Sequence, residues 1–171
     1  MITGASGGVG SAAVQLAKRR GAKVIAVAAT GKAEAVRALG ADHVINYQKQ
    51  SFGSQVRRLT GKRGVDVVFE HVGPDTWAGS MFAMKRGGRL VTCGSTTGIQ
   101  TKINLFTLFQ QQLRIFGSFG CTLKNMSSVM EKMAAGAVHP VVDTKLAISD
   151  IELGLARLES RNVFGKIIIT L

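Results

Sequence analysis

Thr3-Gly4-Ala5-Ser6-Gly7-Gly8-Val9-Gly10 decides how the rest of the chain is read. An apolar start precedes it, and Ser11-Ala12-Ala13-Val14-Gln15-Leu16-Ala17-Lys18 follows as small and apolar residues at helical spacing. A second apolar run, Lys23 to Ala28, comes next. Strand, glycine turn, helix and strand in that order is the setting in which glycines cradle a diphosphate. Ala5, Gly7 and Gly10 occupy the three slots of the G-x-G-x-x-G/A pattern, with alanine at the first. Gly7 would let the backbone approach the diphosphate, and Gly10 would let the helix pack close to the strand. Amides at the helix start, with its partial positive charge, would hold the phosphates.

The same letters admit other readings. As T-G-x-x-x-G-x-G, Thr3 to Gly10 matches the short-chain dehydrogenases, which need a catalytic Tyr with Lys four residues later. The only tyrosine is Tyr47 and position 51 is Ser51, so that reading fails. As G-x-S-x-G, Gly4 to Gly8 is a nucleophile elbow with Ser6 as the nucleophile of a serine hydrolase. That chemistry needs an acid and then a histidine downstream; Asp66 or Glu70 with His139 has the right order, with nothing local to support the pairing. A glycine turn with no ligand is the third alternative.

Strand then helix repeats after the loop. Val24 to Ala28 is continuously apolar, as a parallel strand covered on both faces requires. Lys32 to Leu39 is helical, His43 to Tyr47 a strand, Ser51 to Leu59 helical, and Val65 to Phe69 a strand ending at Glu70-His71-Val72-Gly73. Thr76 to Met84 is a helix stopped by Gly87-Gly88, and Arg89 to Cys93 and Leu113 to Gly117 are further strands. Beyond these come a helix over Met126 to Ala135, an extended His139 to Asp143, a helix over Asp150 to Leu158 with Ser149 as N-cap, and a last strand at Lys166 to Leu171. The alternation predicts an α/β fold with a doubly wound parallel sheet. Ligands in such sheets sit at the carboxyl ends of strands, so the loops Ala28–Lys32, His71–Gly73 and Cys93–Thr96 should gather around one crevice.

Composition sets limits on the function classes. The formal net charge of +12 raises nucleic-acid binding. The basic residues are scattered, however, as Lys18-Arg19-Arg20, Arg57-Arg58, Lys62-Arg63 and Lys85-Arg86, and one Tyr and one Trp make no stacking platform. Nucleic acid is therefore not the expected partner. No apolar run approaches the roughly 20 residues of a membrane span, and no signal peptide is visible at the N-terminus. Cys93 and Cys121 lack metal spacing and read as reduced, buried thiols of a cytoplasmic protein.

With these elements placed, the chain resembles the medium-chain dehydrogenase/reductase superfamily, the zinc alcohol dehydrogenases and quinone oxidoreductases. The likeness spans the whole chain. It rests on Gly4 to Gly10, Leu39-Gly40-Ala41-Asp42-His43-Val44-Ile45-Asn46-Tyr47, Gly64 to Phe69, Gly87-Gly88-Arg89-Leu90-Val91 and Gly165-Lys166-Ile167-Ile168, with Glu70 to Trp77 closest to the zinc-type branch. The resemblance implies a Rossmann dinucleotide-binding domain over residues 1–122. Residues 123–171 would be a helix-strand segment that packs on a GroES-like catalytic domain. That domain, which holds the zinc ligands or quinone pocket, is not recognised here, and only Met1-Ile2-Thr3 remain of the first strand. The expectation is the cofactor-binding half of a larger oxidoreductase, inactive alone, with zinc entering only through the other domain. A non-catalytic dinucleotide-binding module or sensor is the alternative.

The expected cofactor is NADP(H) in preference to NAD(H). The acid that binds the ribose hydroxyls in NAD enzymes would end the second strand, where Ala28 stands. The resemblance carries Lys32 and Tyr47 onto 2′-phosphate positions, in a loop that also holds Thr30 and is a residue shorter than usual. The bland alternatives are a solvated lysine and a ring packed on the sheet. Ser6, Gly7, Gly8 and Val9 would line the diphosphate. His71, Val72, Cys93, Gly94, Ser95, Phe116 and Ser118 would surround the ribose and nicotinamide, although His71 could be a loop histidine without a role. His43 and His139 read as structural. No residue of this chain is expected to be catalytic or to bind metal, and a homodimer through the sixth strand, Leu113 to Gly117, is expected.

Overall fold

Met1–Thr3 lie in the middle of a parallel sheet. In the computed structural model, which describes residues 1–171, Ile2 bridges Ala26 of β1 (Ile25–Ala28) on one side and Phe69 of β3 (Val65–Glu70) on the other. The amide of Ile2 donates to Ile25 O at 2.9 Å and that of Thr3 to Phe69 O at 3.1 Å. Phe69 N and Val27 N donate back to Met1 O and Ile2 O, both at 2.9 Å. Three residues thus join two ladders. The Met1 amino group donates to Val67 O at 2.8 Å, and burial pulls its pKa down to about 6. β2 (His43–Asn46) pairs with β1, β4 (Met84–Thr92) with β3, and β5 (Arg114–Gly117) with β4, all parallel. The order across the sheet is β2-β1-(Met1–Thr3)-β3-β4-β5.

Both faces are covered, as the doubly wound reading requires. All four residues of β1 are buried, and successive side chains go to opposite cores. Ile25 and Val27 join Ile45, Val56, Val68, Trp77 and Leu90 on the face covered by α3 (Phe52–Leu59) and α4 (Pro74–Ala83). Ala26 and Ala28 join Ile2, Ala5, Val14 and Val36 on the face covered by α1 (Gly8–Arg19) and α2 (Ala33–Ala38). Alanines suit the second face because α1 lies close: a Cβ on Gly10 would collide with the Gly4 carbonyl and sit 2.7 Å from Ala5 Cα.

Several boundaries differ from the sequence reading. α4 begins at Pro74 and not Thr76, since proline at the first helical position forfeits no hydrogen bond. It ends at Ala83, and Gly87-Gly88 fall inside β4, whose pairing with β3 shifts register between Val65 and Val67. α5 (Leu105–Gln110) went unread; Leu105, Phe106 and Phe109 are exposed, so no buried face marks it, and the Asn104 side chain caps it by accepting from Thr107 N. α6 (Leu123–Ala134) starts before Met126 because Thr122 and Asn125 form a reciprocal capping box. Ser149 caps nothing: it lies in a 3₁₀ turn, Ile148–Asp150, ahead of α7 (Ile151–Glu159). β6 (Val142–Ala147) runs past the extended stretch expected to end at Asp143, and pairs in parallel with β7 (Lys166–Thr170). A bridge from Gly7 to Gly165 attaches this pair to the glycine turn. Cys93 and Cys121 are free but exposed, which corrects the expectation of buried thiols. No helix is long and apolar enough to cross a membrane.

Candidate functional site

The opening turn follows from its glycines and from strand geometry. Gly4 takes φ +53°, the left-handed region that favours glycine, and Gly7 N donates to Gly4 O at 3.0 Å to close the turn. The chain then enters α1, whose first backbone bond of this kind is Ser11 N to Gly7 O at 2.9 Å. The amides of Gly8, Val9 and Gly10 therefore have no acceptor within the protein, the usual condition of a helix start. A Cβ on Gly7 would meet only the Gly4 carbonyl, at 3.5 Å, so the turn is open to an approaching group on that side.

A cleft of about 690 Å³ opens beside this turn, lined by Ser6, Gly7, Ala28, Lys32, Tyr47, His71 and Val72 among the expected residues. Cys93, Gly94, Ser95 and Ser118 line a second cleft of about 490 Å³ instead. All three expected loops do meet at the larger cleft, the loop after β4 through Thr96, while Cys93 to Ser95 turn to the smaller one. Val72 O accepts from Thr97 N at 2.8 Å and from Thr97 Oγ1 at 3.0 Å, and His71 O from Thr96 Oγ1 at 3.2 Å. This pins the loops after β3 and β4 to one another, and the joined loops contribute to both clefts. Gly8, Val9, Thr30 and Phe116 line neither. Gly8 faces the Lys166 side chain, Val9 and Phe116 are exposed, and Thr30 ties to the end of β2 through Gln48 and Asn46.

Lys32 is not a freely solvated lysine. Its Nζ donates to Arg161 O and Val163 O, each at 2.7 Å, and desolvation lowers its pKa against the opposing pull of Asp143. Two of its three N–H groups are thereby engaged with the turn between α7 and β7. That turn also reaches the glycine loop, where Gly165 N donates to Ser6 O at 2.8 Å. It brings Arg161 to the cleft lining, a cation that the sequence reading missed because it lies 129 residues from Lys32. Arg161 takes φ +56°.

His71 stacks obliquely on Phe69, with ring centroids 5.6 Å apart, and its Nε2 is buried without a partner. Burial holds its pKa below the ordinary value despite the Glu70 carboxylate, so the ring is neutral at pH 7. Desolvation pushes the Cys93 thiol up. Glu70 is the other residue undervalued from sequence: it is 0 % exposed and accepts from five donors. The spacing of Thr76 and Ser80, four apart on one helix and both hydroxylic, was a signal that could have found it.

The nucleophile-elbow constellation is not assembled. Ser6 Oγ bonds to no histidine, Glu70 is occupied by its five donors, and His139 is held through its backbone by Gln15 of α1. No three His, Cys, Asp or Glu side chains converge in the arrangement that would hold a metal ion.

A parallel, doubly wound sheet with a glycine turn leading into an open helix start, and a basic cleft at the strand ends, defines a Rossmann-type α/β domain. The family model described as zinc-binding dehydrogenase matches residues 8–135, and the chain belongs to that family, within the medium-chain dehydrogenase/reductase superfamily. Among curated relatives, crotonyl-CoA reductase of Streptomyces collinus is 31% identical over 168 residues, covering 88% of this chain and 38% of its own length. Quinone oxidoreductase of Salmonella typhimurium is 42% identical over 108 residues, covering 63% of this chain and 33% of that protein. Among solved structures, an NAD-dependent alcohol dehydrogenase superposes with TM-score 0.92 at 34% identity, covering 99% of this chain and 50% of the other. A 2-octenoyl-CoA carboxylase reductase in complex with NADP and 2-octenoyl-CoA gives TM-score 0.87 at 30% identity, covering 98% and 42%. The chain spans half or less of each of these proteins.

Proposed function

We propose that this chain is the NADP(H)-binding part of a medium-chain oxidoreductase that transfers hydride between the cofactor and an alcohol–carbonyl pair, or to an enone or quinone. The observation that carries the reading is the cleft itself: Gly4, Ser6 and Gly7 of the glycine turn line one end, just ahead of a helix start whose Gly8–Gly10 amides have no acceptor, and Lys32, Tyr47 and Arg161 lie on its lining. The residues fit the group. The amides and the α1 dipole suit a diphosphate, and the two cations beside a carboxylate-free Ala28 suit a 2′-phosphate. A bound nicotinamide would supply the hydride. His71 lines the cleft beside Val72, and burial keeps its pKa below the ordinary value, so its ring adds no cation to this end. The NADP in the octenoyl-CoA reductase complex supports the choice, as the NAD-dependent neighbour does not.

β5 ends the sheet with its outer edge unpaired, which supports pairing of two copies there. Calorimetric titration tests the main reading. NADPH is expected to bind at least tenfold more tightly than NADH, with no oxidation of alcohols or reduction of quinones. Tighter NADH binding removes the 2′-phosphate assignment, and turnover by this chain alone removes the binding-only reading.

A further inference from the structure

Glu70 is a fully buried carboxylate with no cation among its partners. Its Oε1 accepts from Thr3 Oγ1 at 3.1 Å, Val72 N at 2.8 Å, Gly73 N at 3.2 Å and Thr76 Oγ1 at 2.8 Å, and its Oε2 accepts from Ser80 Oγ at 2.6 Å. A buried polar group of this kind is tolerated only when its acceptors are filled, and every partner here is a donor. The donors come from three places: the strand that feeds the glycine turn, the loop after β3, and the inner face of α4. Above this hub the two walls of the cleft touch. A Cβ on Gly4 would lie 2.9 Å from His71 Cε1 and 3.0 Å from Val72 Cγ2. The loop after β4 hangs in turn from His71 O and Val72 O through Thr96 and Thr97. One carboxylate therefore fixes the loop after β3 against the glycine turn, and through that loop the partition between both clefts. No such link runs from Glu70 to the Lys32, Tyr47 and Arg161 end.

We propose that Glu70 is the positioning residue of the cleft, setting the spacing between the glycine turn and the His71–Gly73 wall for the diphosphate–nicotinamide half of a bound dinucleotide. This rests on the dinucleotide reading above. Glu70→Gln in the full chain removes the negative charge that two backbone amides and three hydroxyls share, and replaces one acceptor oxygen by an N–H₂ that only a hydroxyl such as Ser80 Oγ could accept from. NADPH affinity is expected to fall tenfold or more, while adenosine 2′-phosphate, which engages only the Lys32–Tyr47–Arg161 end, binds within twofold of wild type. Thr3→Val removes one tether, leaves the carboxylate and four donors, and is expected to weaken NADPH three- to tenfold with adenosine 2′-phosphate unchanged. It carries the test if Glu70→Gln does not fold, as judged by thermal melting. A parallel loss of both probes in the folded variants assigns Glu70 to general stability and overturns the proposal, as does unchanged NADPH affinity. A wild-type chain that binds neither NADPH nor NADH overturns the dinucleotide reading and this inference together. Wild-type NADPH binding with unaltered variants overturns this inference alone.

Discussion

The stretch from Met1 to Gly117 and the stretch from Leu123 to Leu171 are both strands and helices of ordinary amphipathic pattern, yet they bury their apolar residues very differently. The first holds both core clusters, 22 side chains in all, from Met1 to Leu113. In the second, α6 has no buried residue and α7 only Gly154, while Leu123, Met126, Met130, Ile151, Leu153, Leu155 and Leu158 are exposed. Local signals are nonetheless complete there: α6 carries a capping box, and β6 pairs with β7 in five register positions. The lesson is that local hydrogen bonding can specify an element whose apolar face has nothing in this chain to bury it. The second stretch touches the first through backbone bonds at Gly165, Arg161, Val163 and His139, through Phe164 packed on the smaller core cluster, and through the Lys166 side chain over Gly8.

The sharpest way to break that contrast is to truncate one leucine in each stretch. Leu90 is 0 % exposed in the larger core, and Leu90→Ala is expected to cost about 2–5 kcal/mol. Leu155 is 54 % exposed on α7, and Leu155→Ala is expected to stay within about 0.5 kcal/mol. Chemical denaturation measures both. Equal costs would mean that α7 is buried in solution, by association or otherwise.

A smaller effect is expected at the joint between the two stretches. Lys32→Met removes both bonds to the Arg161–Val163 turn, and hydrogen bonds to a charged group are worth about 1.5–3 kcal/mol. Amide exchange at residues 161–165 is expected to quicken, and NADPH affinity to fall about tenfold, close to the 1.4 kcal/mol that one such factor represents. NADH affinity should hardly move. A uniform loss for both cofactors would mean that Lys32 serves the turn and not a phosphate.

Thr122→Ala then tests the local half of the contrast. Losing the capping box should cost α6 about 1 kcal/mol. Faster exchange over Leu123–Ala134 with unchanged protection in β1 and β3 is the expected pattern. Loss of protection in the central strands would show that α6 is coupled to the core.

The sheet was legible because β1 is a short, continuously buried run, and because the glycine turn must follow a strand and precede a helix. The far side of the cleft was not. Arg161 reaches it through a turn remote in sequence, and no periodicity announces a residue that lines a groove from such a turn. Glu70 stood as an acid closing an apolar strand; the Thr76–Ser80 spacing was legible, but nothing in the sequence sets that helix face and Thr3 against the same carboxylate. α5 was illegible for the opposite reason: Leu105, Phe106 and Phe109 are exposed and Leu108 alone packs on the core, so the pattern that normally reports burial reports almost nothing.

The smallest effect belongs to surface charge on the well-buried stretch. Asp66, at the start of β3, accepts from Lys85 at 2.5 Å and from Arg63 at 3.3 Å. The Lys85 hydrogen bond above all, with Arg63 behind it and partial burial opposing, holds its pKa at about 2 against an ordinary 3.8. A depressed folded-state carboxylate stabilises the fold fully above its unfolded pKa, and that contribution fades as pH falls from 3.8 towards about 2. The side chain is 55 % exposed, so solvent screening keeps the term below about 1 kcal/mol. Asp66→Asn should therefore lower stability slightly at pH 7, and should flatten the acid limb of the stability curve over that window. Added salt should shrink the difference. A cost at Asp66 rivalling that of Leu90→Ala would mean that this stretch is held by its charges and not by its core.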